Sequence, residues 1–327
     1  MMLGSRLKRF IRPLHNLLWA FNGFAYDFSR YVRYGGWRGH ADHRRRDYKA
    51  VKTYHQLEKS LSFRERRAGS GWEAADNLLR LLGRGEPAPA GLGYHETVGL
   101  KVLRDFAASA DGGGETARRV EAFLQQVRQQ SAEGGVIELG VDELLAGRLD
   151  DPEQFFFSRH SVRDFRPAAV PRELLQRAIR LAMRTPSVCN RQAWHVYQMD
   201  SRASIDRALA LQNGNRGFGH EVPCLLIITA DLRAFDTHGE RFQHWVDGGM
   251  FAMSLALALH SLGLASCFLN WSRGARDDRR LRRVVALDDA HTVITMMAVG
   301  YASEKLKVCY SARRPVDSIL TFLDDHA

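Results

Sequence analysis

Two hydrophobic textures meet near residue 150. Before it, Leu7, Phe10, Ile11, Leu14, Leu17, Leu18, Phe21 and Phe28 recur at spacings near three and four, the signature of one face of a helix. Further helical patterns run over Trp72–Leu82, His95–Ala107 and Thr116–Gln130. Glycine- and proline-rich stretches at 83–93 and 110–114 punctuate them, and no strand-like alternation intervenes. Residues 1–150 therefore read as a helical extension. After residue 150, helix and strand alternate. Asp151-Pro152 and Pro171 look like helix starts, the second leading Leu174, Leu175, Ala178, Ile179 and Ala182 along one face. Strand-like runs follow at Trp194–Met199, Cys224–Ala230, Ser266–Leu269 and Val293–Val299.

Between the second and third strands lies an apolar helix, from about Glu240 to Leu262. From Gly248 to Leu264 only Ser254, His260 and Ser261 are polar. The stretch is shorter than the roughly 20 residues a bilayer requires. A helix apolar all round is a buried one, so we expect it at the centre of the domain and at a subunit interface.

Composition narrows the class. The chain of 327 residues is 45% hydrophobic and 26% charged, which excludes a disordered chain. Its four cysteines form no C-x-x-C or Cys/His cluster. With no cleavable signal pattern, this predicts reduced thiols in a cytoplasmic protein. The net charge of +10 is uneven: residues 1–50 hold 11 Lys/Arg against 3 Asp/Glu. A basic arm suggests an anionic surface. Arg6, Lys8, Arg9, Arg12, Arg30 and Arg33 flank the first apolar stripe, and two readings stay open. The helix lies on the inner face of an anionic membrane, or it covers the main domain with its stripe while the basic residues stay solvated. The second is the commoner use of such a helix and is the expectation; a peripheral membrane or protein contact through residues 6–33 is the alternative. Nucleic acid is not an expected partner, because the arginines and aromatics around Tyr31–Trp37 belong to no recognised binding module.

The usual catalytic signatures are missing: no H-E-x-x-H, G-x-S-x-G, Walker A loop or post-strand G-x-G-x-x-G occurs. His40 and His43 lack an acidic or cysteine partner nearby, so no metal is expected. Asp231, Asp236, His238 and Glu240 read as a solvated loop, and Tyr54–Ser62 as a helix with a Glu/Lys pair. What remains is a set of polar loops. Ser158-Arg159-His160-Ser161-Val162-Arg163-Asp164-Phe165 gathers two arginines and two hydroxyls, the parts that hold a phosphate. Pro186-Ser187-Val188-Cys189-Asn190-Arg191-Gln192 is a polar turn before a strand. Gln212–Gly219 is rich in amides and glycine, and Arg313-Arg314-Pro315 lies near the end.

The order of these loops resembles the nitroreductase family of FMN-dependent oxidoreductases. The 158–165 run resembles the family's R-x-S-x-R-x-F element. Thr185–Val196 resembles its P-S-x-x-N-x-Q-P-W-x-F turn and strand, with Ala193 in place of proline. Asp247–Cys267 resembles its central helix and next strand, and Val299–Glu304 with Arg313–Pro315 its I-G-Y-P and R-x-P. The resemblance spans about 153 to 320. It implies an α+β fold, a mixed sheet wrapped by helices, over residues 151–327, beside a helical extension over 1–150. It also implies an intertwined homodimer with two FMN at its interface.

Carried over residue by residue, it implies that Arg159, Ser161 and Arg313 hold the FMN phosphate, with His160 in the same loop. Arg163 faces the flavin pyrimidine carbonyls and Asn215 the ring edge. Pro186, Ser187, Val188, Asn190 and Gln192 form the turn that a partner subunit lends to the flavin. Asn270, Trp271 and Ser272 approach the N5 side. Ser311 stands where many members carry a second phosphate-binding lysine, and Phe218 where a basic residue is frequent, with Arg216 close by. The function so implied is transfer of hydride from NADH or NADPH through flavin N5 to a small aromatic, nitro or quinone-like acceptor. Hydride transfer obliges no side-chain acid or base, so no catalytic residue is assigned. Alternatives left open are a flavin-dependent biosynthetic dehydrogenase, a flavin-fragmenting enzyme, and a membrane- or complex-docked scaffold with a vestigial flavin site.

Overall fold

A computed structural model describes residues 2–39, 42–65, 67, 69–83, 92–127 and 132–323, with side chains from residue 14 onward. His40, most of the 83–93 punctuation, the end of the 116–130 helical pattern and the first basic and apolar side chains of the N-terminal stripe lie outside the described residues.

Five helices come first: α1 (Met2–Tyr34), α2 (His43–Ser62), α3 (Trp72–Gly83), α4 (Tyr94–Ser109) and α5 (Gly114–Gln126). Helices α2 to α5 close on a core of their own, with Val51, Tyr54, Leu57, Leu78, Val102, Leu103 and Phe106 buried at helical spacing. The Tyr54–Ser62 run is helical as expected. Its Glu58 meets His55 (2.9 Å) and the Gly135 N–H (3.1 Å), while the Tyr54 hydroxyl meets His95 Nδ1 at 3.0 Å. Two short helices follow, α6 (Val141–Leu145) and α7 (Pro152–Ser158). The Asp151 carboxylate caps α7 by accepting from the Gln154 N–H at 2.8 Å, with Pro152 at the first helical position.

The rest is a three-layer domain built from α8 (Arg172–Ala182), β1 (Trp194–Met199), α9 (Arg202–Leu209), β2 (Cys224–Asp231), α10 (Gln243–Ser261), β3 (Ala265–Asn270), α11 (Ala275–Val284) and β4 (His291–Gly300). The sheet order is β1-β2-β4-β3, and every neighbouring pair is antiparallel. Parallel pairing enters only as an isolated bridge between Ser161 and Ser266 among the described residues. The buried strands carry apolar residues on both faces. Cys224, Leu226, Ile228, Met297 and Val299 join the core under α8 and α10. Leu225, Ile227, Met296 and Ala298 join the core on the other face, with Ile205 of α9 and Leu281 of α11. The alternation follows from the period of two along a strand.

Three expectations need correction. The apolar stripe of α1 does not cover the domain: Leu14, Leu17, Phe21, Phe24 and Phe28 are exposed. Instead the other side of α1 docks by polar bonds, Tyr26 Oη to Asp278 (2.7 Å) and Arg30 to the His291 carbonyl (2.8 Å). Helix α10 is not buried all round. Phe251, Leu255 and Leu259 face the sheet core, whereas Trp245, Val246, Met250 and Met253 are exposed in the single chain. Nor are the acidic residues after β2 solvated. Asp231 is buried against Arg233 (2.8 Å), Asp236 pairs with Lys49 (2.7 Å) and Lys52, and Glu240 pairs with Arg191 (2.6 Å). These carboxylates fasten α2 and the turn before β1 to the domain, a role that long-range folding alone reveals.

Candidate active site

The arginine loop is pinned at its middle and its end by apolar side chains. Val162 and Phe165 are buried, while Arg159, His160 and Ser161 before them and Arg163 between them stay partly or fully exposed. Backbone bonds stitch the loop to the strands: Val162 N–H to the Ser266 carbonyl (3.1 Å), Arg166 N–H to that of Tyr301 (2.9 Å), and Ser303 N–H to that of Asp164 (3.2 Å). The loop therefore sits at the start of β3 and the exit of β4. Arg163 Nη1 lies 3.7 Å from Cys309 Sγ, which brings the C-terminal segment alongside. Arg313, four residues further on, is exposed and bonded to the Ser311 carbonyl. Burial raises the Cys267 thiol in β3 above its ordinary range, although Arg163 and Arg159 pull the other way. Burial likewise lowers His260, with Arg159 and His160 adding to the effect, and its Nε2 meets Ser158 Oγ at 2.9 Å.

At the far end of β3 sits a corner of amides. Gln212, buried, donates from Nε2 to the Asn270 carbonyl (3.0 Å) and accepts from Gly214 N–H (2.6 Å) and Asn215 Nδ2 (2.9 Å). Asn215 Nδ2 also reaches the Leu209 carbonyl at 2.9 Å, so it braces the corner. Asn270 Nδ2 donates to Ser272 Oγ (3.0 Å), and Trp271 Nε1 to Asp278 (3.2 Å). Phe218 is buried in the core beneath, while Arg216 is exposed. Ser266 and Asn270 are four residues apart on a strand, about 13 Å. The arginine loop and the amide corner thus bracket one sheet edge. A cavity of about 280 Å³ opens beside it, lined by Tyr26, Asp27, Trp245, Trp271, Ser272 and Arg273 among others. Burial raises the Asp27 carboxyl, against a smaller downward pull from Arg30.

The third predicted element lies elsewhere. Residues 186–192 lead into β1, the opposite edge of the sheet, so one chain does not bring this turn to the β3 edge. It is strained: Cys189, Asn190 and Gln192 have φ of 50°, 53° and 50°, a region unusual for non-glycine residues and frequent at functional sites. The Val188 N–H donates to the Asp247 carboxylate (3.2 Å) and the Gln192 N–H to Ser187 Oγ (3.0 Å). Arg191, fully buried, bonds the Ala234 carbonyl and both oxygens of Glu240. Burial raises the Asp247 carboxyl. Gln192 and Trp194 also line a second cavity, about 420 Å³, between β1 and the first turns of α2 and α4. His195, Tyr197, Asp231, Asp288 and His291 line it too. There the Tyr197 hydroxyl meets His291 Nδ1 (2.9 Å), and His291 Nε2 faces Asp231 (3.6 Å).

The sequence reading missed Gln212, Arg191 and this Tyr–His–Asp array. The partners are separated by tens to about a hundred residues, so the Gln212–Gly219 and 186–192 runs and Asp231 stand out in the sequence only as polar loops. Among the described residues no group of three His, Cys, Asp or Glu is arranged to hold a metal ion.

Comparison with known proteins follows the same geography. The nitroreductase family profile matches residues 157–212 and 199–301, which takes in the arginine loop, the turn and all four strands. Over these residues the chain matches the nitroreductase family. The nitroreductase match leaves the helices before residue 157 outside it. Among curated relatives, an NADH dehydrogenase of Thermus thermophilus is 25% identical over 47% of this chain and 88% of its own length. A 4-nitrobenzoate reductase of Pseudomonas putida is 22% identical over 49% of this chain and 88% of its own. Among solved structures, an FMN-dependent nitroreductase of Clostridium difficile superposes with a TM-score of 0.43 at 21% identity. It covers 52% of this chain and 97% of its own.

Proposed function

We propose that this chain is an FMN-dependent oxidoreductase that uses NADH or NADPH to reduce a small aromatic, nitro or quinone-like acceptor, as a homodimer with a helical extension over residues 1–150. The observation that carries the reading is the β3 edge, with two arginines and a serine at one end and an amide corner about 13 Å away at the other. Arginine forks and hydroxyls suit a phosphate dianion, and the neutral amides suit the carbonyl and N–H edge of a planar ring. The donor set therefore fits FMN. Flavin, when bound, would supply the two-electron chemistry.

The chain's own residues bind and orient. Arg159 and Ser161, with His160 beside them, would hold the phosphate; Arg313 would join them from the C-terminal segment. Arg163, a fixed cation, would favour negative charge on the pyrimidine side of the ring. Gln212 fixes the Asn270 carbonyl, so Asn270, Trp271 and Ser272 present a defined backbone to the ring face. Tyr26, Trp245 and Trp271 give the adjoining cavity aromatic walls suited to a flat acceptor. The turn at Pro186, Ser187, Val188, Asn190 and Gln192 would complete the site from a partner copy. In support, this turn lies at the opposite sheet edge, and Trp245, Val246, Met250 and Met253 of α10 are exposed in one chain.

The test is FMN retention by apoprotein titrated with the cofactor. Arg159→Ala and Arg313→Ala should each weaken binding by tenfold to about a hundredfold, the loss of one charge-assisted contact of about 1.5–3 kcal/mol. Equal affinity in the wild type and both variants refutes the phosphate assignment. A flavin that neither NADH nor NADPH reduces under anaerobic conditions refutes the reaction.

A further inference from the structure

Helix α1 has two faces with opposite fates. At about 3.6 residues per turn, Trp19, Gly23, Tyr26 and Arg30 share the side turned to the domain. Gly274 approaches the Trp19 ring there, Tyr26 bonds Asp278 and Arg30 bonds the His291 carbonyl. Leu14, Leu17, Phe21, Phe24 and Phe28 fall on the opposite side, and each is 58–72% exposed. The apolar stripe is thus turned away from the protein, at a helix anchored to the domain by the polar contacts of Tyr26 and Arg30 and, near its end, by Tyr31 packed with Ala193, Leu232 and Phe235. Burial of such a stripe on its own domain is the ordinary outcome; here the contacts of Tyr26 and Arg30 hold the helix the other way round.

Charge says what covers it. The sequence of α1 carries Arg6, Lys8, Arg9, Arg12, Arg30 and Arg33 against a single acidic residue, Asp27, with only Arg30 of these shown bonded to the domain among the described residues. Helix α11, which packs on α1, adds Arg276, Arg279, Arg280 and Arg283, exposed and spaced along one face. The Arg279 guanidinium lies 4.9 Å from the Tyr26 ring centroid, directly beside α1. Two copies meeting through this stripe would bring like charges together, whereas an anionic lipid surface neutralises them. No helix among the described residues is long and apolar enough to cross a membrane, so the fitting geometry is a helix lying in the plane of the surface.

We propose that α1 is an interfacial membrane anchor. Leu14, Leu17, Phe21, Phe24 and Phe28 enter the headgroup–acyl boundary of an anionic bilayer, and exposed Arg33 of α1 and the exposed arginines of α11 sit at the headgroups. Since Gly23, Tyr26 and Asp27 of the same helix line the cavity at Trp271 and Ser272, docking sets that cavity behind the helix, one helix diameter (~10 Å) from the lipid surface. The inference does not depend on a flavin.

The test is co-sedimentation of the full chain with phosphatidylcholine vesicles, with and without phosphatidylglycerol. The wild type should pellet with the anionic vesicles and be partly released by salt. The exposed-face variant Phe21→Ser/Phe24→Ser/Phe28→Ser should keep the wild-type circular dichroism and melting temperature. Its partition coefficient should fall by about a hundredfold or more. Wild-type protein that stays in the supernatant with both vesicles overturns the proposal, as does a variant that binds like the wild type. Sedimentation velocity supplies the remaining arm: a wild-type oligomer that the triple variant dissociates, without any vesicle binding, means that a second copy covers the stripe and also overturns it.

Discussion

Replacing Arg191 by methionine tests whether the strained turn at 188–192 is held by a buried ion pair. The guanidinium is fully buried. It donates to the Ala234 carbonyl (2.6 Å), to Glu240 Oε1 and Oε2 (2.6 and 3.1 Å) and to the Val188 carbonyl (3.2 Å), and lies 5.1 Å from the Phe235 ring centroid. Methionine fills similar volume but leaves these acceptors without their donor. Breaking a buried pair costs about 3–5 kcal/mol. Glu240 retains two partners, the Asp236 N–H at 3.0 Å and Lys52 at 3.4 Å, so we expect about 2–4 kcal/mol. Burial pushes the Glu240 carboxyl up, and Arg191 together with Lys52 and the Asp236 N–H more than offsets it, holding the group below its ordinary range. In the variant that depression should shrink. Urea denaturation measures the stability loss, and amide exchange measures the turn. The Val188 and Gln192 amides, bonded to Asp247 and Ser187, should lose protection well beyond the global change. Arg191→Lys should fall between, since a point charge replaces a fork. A methionine variant with the wild-type denaturation midpoint and wild-type protection at 186–192 would refute the argument.

Two further outcomes follow from buried titratable groups. His244 is buried, its Nδ1 has no hydrogen-bond partner among the described residues, and burial, with Arg30 adding to it, lowers its pKa to about 4. Between pH 6.5 and 4 the unfolded chain binds a proton there that the folded chain does not, so its contribution is lost as pH falls. About 3 kcal/mol should go over that window, and His244→Phe should flatten this part of a stability–pH curve; an unchanged curve would sink the assignment. Asp236 fastens α2 through Lys49 and Lys52, and although burial acts upward, the two lysines hold its pKa at about 2. Its contribution is complete above about pH 4 and fades as pH falls toward 2. Asp236→Asn should cost about 1–2 kcal/mol after solvent screening, with faster proteolysis of α2 as the readout; equal cleavage rates would show that the pair does not fasten the helix.

Local pattern was enough for the elements themselves. The β2 and β4 segments were legible because an apolar run rich in β-branched residues between turn residues has few other stable uses. The 240–262 helix was legible by length, and the arginine loop by its density of phosphate-binding groups. Side of burial was another matter. Whether the stripe of α1 meets the domain or solvent depends on Tyr26 finding Asp278, 252 positions away, and nothing in a local period of three and four encodes that pairing. Asp236 and Glu240 looked solvated because their cations, Lys49, Lys52 and Arg191, come from other segments. Only the sheet order separates the 186–192 turn from the β3 edge. Residue spacing sets the period of each element and therefore which side chains share a face. Which face is covered, and by what, is decided by contacts between segments far apart in the chain, because burial free energy belongs to the assembled surface and not to the segment that contributes to it.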